Sequence, residues 1–80
     1  MQPEELAGKL RGMYDNAPEG EKTTMIHLFG VLYADELKNC GAPVAEIAKN
    51  SVGDAYHTEI SKGIRLARYV ELKAQHQGEF

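Results

Sequence analysis

PVAEIAKNSVGDAYHTEISKGIRLARYV, residues Pro43–Val70, is the stretch whose reading decides the fold. It opens on a short helix-like run, Ala45–Glu46–Ile47–Ala48–Lys49–Asn50. A sharp break follows at Ser51–Val52–Gly53–Asp54, and a longer run starts at Tyr56. Val44, Ile47 and Ala48 are spaced to face a core, with Ala48 small enough to let a second helix cross closely. In the longer run Tyr56, Ile60, Gly63, Ile64, Ala67 and Val70 recur at helical spacing and predict one helix from about Ala55 to Lys73. Gly53 is free to take positive φ in the turn, and Asp54 suits the N-cap position. If Gly63 instead acts as a C-cap, this helix stops there and another begins near Ile64.

Short helix, tight turn, second helix is the layout of a helix-turn-helix unit, in which the second helix can enter the DNA major groove. Working outward from it, the segment Glu21–Asn39 is the most apolar of the chain. Ile26, Phe29, Tyr33, Leu37 and Cys40 make one stripe, with Met25, Leu28 and Leu32 beside it. A helix apolar over that much of its circumference belongs at the centre of a bundle or at an interface between subunits. Asn39–Cys40–Gly41–Ala42–Pro43 ends it, with Gly41 as a left-handed cap and Pro43 opening the next helix. A further helix is predicted over Pro3–Asp15, its first turn favoured by Pro3, Glu4 and Glu5, its inner stripe Leu6, Leu10, Met13, Tyr14 and Ala17. Gly8 and Gly12 weaken it by about 1 kcal/mol each relative to alanine. Asn16–Gly20 reads as a turn, and Gln75–Phe80 is expected to fray.

These elements predict a single all-α domain over residues 1–80: a compact four-helix bundle, or five-helix if Gly63 stops the last run, containing the helix-turn-helix unit at residues 43–70. At 80 residues the core is marginal, and chains below about 70–80 residues usually need extra support. One cysteine excludes an internal disulfide, so support must come from tight helix packing or a second subunit. The first residues are polar and acidic, unlike a signal peptide, and the apolar run Met25–Ala34 falls short of the roughly 20 residues a bilayer needs. A cytoplasmic protein without a membrane partner is expected.

The net charge of −3 argues against a nucleic-acid partner, but its distribution does not. Residues 1–40 hold seven acids and four bases, whereas residues 41–80 hold five of each. Lys62, Arg65, Arg68 and Lys73 fall within Ile60–Lys73 against one acid, Glu71. The candidate nucleic-acid-binding residues are therefore His57, Thr58, Ser61, Lys62, Arg65 and Arg68. Hydroxyl and guanidinium groups suit base edges and phosphate oxygens, and the first turns of a recognition helix are the part that meets bases. Lys62, Arg65 and Arg68 can follow one phosphate strand. Glu59 would repel DNA unless it turns sideways. The competing reading of the same residues is an ordinary solvated helix face.

Catalysis is not expected. His27 and Asp35 lie about 12 Å apart along one helix, Cys40 has no activating partner, and His27, His57 and His76 are too scattered for a metal site. No cofactor or small-molecule substrate is implied.

Ala45–Lys49, then Val52, then Tyr56–Gly63, resembles a helix-turn-helix segment of small bacterial DNA-binding proteins. His27–Leu37 with Tyr56–Val70 resembles small uncharacterised prokaryotic proteins with a helix-turn-helix-like domain. The resemblance implies a three- or four-helix fold and a DNA-binding, transcription-regulatory role. The chain departs from the usual pattern in placing Ser51–Val52 where the turn glycine stands, and in spacing Tyr56 and Ile60 four apart. Two roles follow as expectations. The first is a DNA-binding or accessory regulatory protein; the alternative is a protein–protein interaction module, as a homodimer or with another protein, on the same fold without DNA binding. Leu66, Leu72 or part of the Glu21–Asn39 helix would be the contact surface in the second.

Overall fold

A computed structural model describes residues 1–80. The fold is all-helical: α1 Pro3–Asp15, α2 Lys22–Leu32, α3 Ala34–Asn39, α4 Val44–Lys49 and α5 His57–Leu66, with single 3-10 turns at Asp54–Tyr56 and Ala74–His76. None of these helices is long and apolar enough to cross a membrane.

α1 has the bounds its sequence predicts. Glu5 reaches back to accept the Gln2 backbone N–H at 3.0 Å, and at the other end Asn16 donates both its backbone N–H and its amide to the Gly12 carbonyl. These bonds satisfy groups that a helix end leaves open. Leu6 and Leu10 on the inner stripe are fully buried.

The predicted helix over Glu21–Asn39 is two helices with a break at Tyr33, whose φ/ψ of −109°/23° leaves the helical region. The hydrogen-bond ladder bends there rather than ending: Tyr33 N–H donates to Phe29 O, and Tyr33 O accepts from Leu37 N–H. The Tyr33 ring packs on Phe29 at 5.3 Å between centroids, and its hydroxyl donates to the Phe80 carbonyl at 2.9 Å. The bend leaves Ala34 and Leu37 of α3 buried. Gln75–Phe80, expected to fray, instead begins with the second 3-10 turn and returns Phe80 to the edge of the core.

Gly41 takes the left-handed conformation at φ 85° after α3, as its cap position requires, and the Pro43 carbonyl accepts from Glu46 and Ile47 to start α4. The turn after α4 is closed on one atom: the backbone N–H groups of Ser51, Val52 and Gly53 all converge on the Ala48 carbonyl. Gly53 has φ 127°, a conformation open to glycine alone at little cost. The turn is also bound to α1, since Ser51 Oγ donates to the Ala7 carbonyl at 2.7 Å and Arg11 donates to the Ser51 carbonyl at 3.2 Å.

Asp54 does not cap α5 with its side chain; it begins the 3-10 turn that leads into the helix. α5 then runs through Gly63 without interruption, so Gly63 is not a cap and no new helix starts at Ile64. It ends at Leu66, seven residues before the expected Lys73. The Leu66 carbonyl accepts from both Tyr69 and Val70 and closes the helix in a turn. Val70, expected on the inner face, is 50% exposed.

Gly63 has a different role. A Cβ placed on it would run into the His27 carbonyl and lie 2.9 Å from Gly30 Cα. A Cβ on Gly30 would run into the Ile60 carbonyl and lie 2.9 Å from Gly63 Cα. α2 and α5 therefore cross backbone to backbone at a glycine pair. Phe29, Ile26, Ile47 and Ile60 fill the core around that crossing.

Candidate nucleic-acid interface

The α2–α5 crossing fixes which way α5 faces. Ile60 and Gly63 are buried against α2, Ile64 is half-buried, and Tyr56, just before the helix, leans on α1. The Tyr56 and Tyr14 hydroxyls stand 3.4 Å apart with their rings edge to face at 5.8 Å, and Lys22 Nζ lies 4.4 Å from the Tyr14 ring centroid. The Tyr56 hydroxyl is pushed above its usual range, chiefly by the hydrogen bond and charge of Tyr14.

With that face turned inward, Thr58, Ser61, Lys62 and Arg65 occupy an arc of about 100° on the opposite side of the helix. Thr58, Lys62 and Arg65 are exposed and Ser61 is half-buried. Four of the six expected site residues thus share one solvent-facing strip. His57 lies at the edge of the strip, where its Nδ1–H donates to the Asp54 carbonyl at 2.7 Å, leaving Nε2 as the ring's outer polar atom. Arg68 is exposed but lies past the end of α5, in the closing turn, with its guanidinium 5.5 Å from the neighbouring Tyr69 ring centroid. The expectation that Lys62, Arg65 and Arg68 continue along one helix is corrected here: the cationic row leaves helical geometry after Leu66.

Glu59 settles the charge of the strip. It is the one acid of α5, and it turns toward α2, where Oε1 meets His27 Nε2 at 3.0 Å. Lys62 Nζ reaches the same carboxylate at 3.3 Å. The Glu59 side chain is 22% exposed and that of His27 35%. The hydrogen bond from His27 first, and Lys62 after it, hold the Glu59 carboxyl below the usual range against the opposing effect of burial. Lys62 is thereby shared with a carboxylate, whereas Arg65 and Arg68 form no ion pair within the chain.

The His27–Glu59 pair was not visible in the sequence, because the two residues are 32 positions apart. A hint existed: His27 interrupts an otherwise apolar helix, and Glu59 interrupts an otherwise basic one. Also beyond sequence reasoning was the apolar group at the end of α5, where Leu66 is 42% and Tyr69 76% exposed. Leu72, expected beside Leu66 as exposed, is half-buried.

No curated protein and no solved structure matches the chain. A family model described as an HTH-like domain matches residues 2–73, which take in all five helices and the turn between α4 and α5. The chain belongs to the HTH-like domain family.

Proposed function

We propose that this chain is a small DNA-binding or accessory regulatory protein of the cytoplasm, and not an enzyme, with α5 as the element presented to the duplex. One observation carries the reading. The second helix of the helix-turn-helix unit buries Ile60 and Gly63 against α2, leaves Thr58, Ser61, Lys62 and Arg65 outward, and turns its single carboxylate aside. Hydroxyls at Thr58 and Ser61 suit base edges or phosphate oxygens, and Arg65 and Arg68 suit phosphates. Membership of the HTH-like domain family supports a DNA-binding or regulatory role.

The test is fluorescence anisotropy with a labelled random-sequence duplex of about 20 base pairs at low salt. Sequence-independent binding of this type has a Kd of roughly 1–100 μM at physiological salt and is tighter below it. Saturable binding in that range, weakened by Arg65→Ala and Arg68→Ala, supports the reading. An absence of binding at about 100 μM protein and low salt overturns it.

A second reading has an observation of its own. Leu66, Tyr69 and Val70, at 42%, 76% and 50% exposed, lie together at the end of α5 and suit a protein partner or a second copy of the chain. Leu66→Ser with Tyr69→Ser, which removes the apolar surface without adding charge beside Arg65 and Arg68, should abolish such association while leaving duplex binding intact. A light-scattering mass of one chain, unchanged by these substitutions, removes self-association from consideration.

A further inference from the structure

We infer that His27 is a positioning residue for the α5 strip, holding the Glu59 carboxylate off the bound polyanion and making that binding depend on protonation of its own ring. The inference rests on the DNA reading above and adds regulation to the same site. Glu59 lies on the edge of α5 between the crossing and the strip, and its chain can point toward either. What turns it inward is a donor from another helix, the His27 Nε2–H at 3.0 Å. The Gly30–Gly63 contact, where the backbones of α2 and α5 meet, brings that donor within reach. Lys62, the only other charged group that acts on this carboxylate, pulls it back toward the strip from the opposite side. His27 and Lys62 therefore share one carboxylate, His27 on Oε1 at 3.0 Å and Lys62 on Oε2 at 3.3 Å, and the charge on His27 sets how much of the Lys62 charge is left for a phosphate.

Protonation changes that balance. With a neutral imidazole, Glu59 and Lys62 cancel and the cluster carries no net charge. With a protonated imidazole the same three side chains carry +1, the His27–Glu59 bond becomes an ion pair, and the Lys62 charge is no longer cancelled. A phosphate backbone binds the second state more tightly, so by linkage affinity rises as pH falls through the imidazole range. From α5 the groups facing His27 are Glu59 and Lys62; α2 contributes no other ionisable side chain close by, since Thr23, Thr24, Gly30 and Val31 are its helical neighbours.

The chain has two other imidazoles, His57 at the edge of the strip and His76 paired with Glu79. The experiment is therefore run in an N-terminally acetylated His57→Gln/His76→Gln background, in which His27 is the one remaining imidazole. Duplex affinity is measured by anisotropy at about pH 8 and about pH 6, the range an imidazole spans. The expected result is a three- to tenfold gain in affinity at the lower pH, the size of an interaction of up to about one pKa unit. Added His27→Gln, which keeps an N–H donor for Glu59 but cannot gain a proton, should flatten the profile and keep the affinity seen at about pH 8. Added His27→Ala, which frees Glu59, should lower that affinity, and Glu59→Gln should raise it. Circular dichroism confirms that each variant is folded. A profile that survives His27→Gln, or an affinity unmoved by Glu59→Gln, overturns the inference while the DNA reading stands. A parent protein, with His57 and His76 intact, that binds no duplex at either pH overturns both.

Discussion

Glu59 illustrates how one side chain serves both stability and the candidate site. Its carboxyl is held below the usual range first by the His27 hydrogen bond and then by Lys62, so the folded state binds the proton less tightly than the unfolded chain. Such a group contributes stability that is present above the unfolded-state value, near 4.3 for glutamate, and is lost as pH falls through the folded value. Glu59→Gln should therefore be less stable than the parent at neutral pH and should converge with it at about pH 3. Urea denaturation at the two pH values measures this. A deficit of equal size at both would mean that the carboxylate's ionisation contributes nothing and that the change acts through packing. The outward face of α5 was legible in advance: Thr58, Ser61, Lys62 and Arg65 lie opposite its buried side, where helical spacing puts them. The partner of Glu59 was not, because a contact between residues 32 positions apart depends on how two helices cross.

At the scale of the element, the glycines divide into two kinds. Gly30 and Gly63 meet backbone to backbone, so a methyl group on either strikes carbonyl oxygen and Cα of the other helix, atoms that cannot move aside as the tip of a side chain can. Gly8 and Gly12 lie in α1, and a Cβ on either meets nothing within 4 Å. Alanine gains about 1 kcal/mol of helix propensity at any of the four positions. At Gly8 and Gly12 nothing opposes that gain, so each substitution should raise stability by up to about 1 kcal/mol, or roughly 4–8 °C in Tm for a domain of this size. At Gly30 and Gly63 overpacking costs typically 1–3 kcal/mol and more where backbone is struck. Because backbone is struck at both positions the upper part of that range applies, and the net effect after the propensity gain should be a loss of about 2 kcal/mol or more. Thermal melts of the four single variants test this, and a stabilised Gly63→Ala would show that α2 and α5 are not in contact there. The same contrast explains which helix boundaries the sequence disclosed. Pro3, Gly41, Pro43 and Gly53 act through their own backbones, and the structure keeps the boundaries they predict to within one residue, Pro43 standing as the extended N-cap of α4 rather than inside it. Tyr33 and Leu66 act through what surrounds them. The break at Tyr33 coincides with its contacts to Phe29 and Phe80, and α5 stops at Leu66 although Ala67 and Arg68 favour helix, because the residues beyond it bury too little to extend the packed face. Gly63 was ambiguous between cap and contact for the same reason: its partner is on another helix.

For the molecule as a whole, a net charge of −3 and a cationic strip coexist because the charges are segregated along the chain. Glu4, Glu5, Asp35 and Glu36 lie in the first turns of α1 and α3, where they favour the positive helix ends, whereas α5 and its closing turn carry Lys62, Arg65 and Arg68. Net charge is felt at distances beyond the Debye length only at low salt; at physiological salt that length is about 8 Å, and the proposed contact with a duplex depends on the strip. The strip sets an upper limit on how salt-sensitive duplex binding can be. Each phosphate neutralised contributes a slope of about −0.9 in log affinity against log salt. Arg65, Arg68 and a Lys62 shared with Glu59 should therefore give a slope between about −2 and −3, equivalent to about a 15- to 60-fold loss between 50 and 200 mM salt. Arg65→Ala should make the slope shallower by about 1. Lys62→Ala should change it by less, because the Glu59 carboxylate at 3.3 Å already offsets part of that cation. Anisotropy titrations over a salt series separate the cases. A slope steeper than about −5 would require cations outside the strip, such as Arg11 or Lys49 near the turn before α5, and would move the interface toward α1 and α4. Equal effects of Arg65→Ala and Lys62→Ala would mean that the Lys62–Glu59 pair opens on binding, which ties the salt dependence of the whole molecule to the carboxylate that His27 and Lys62 share.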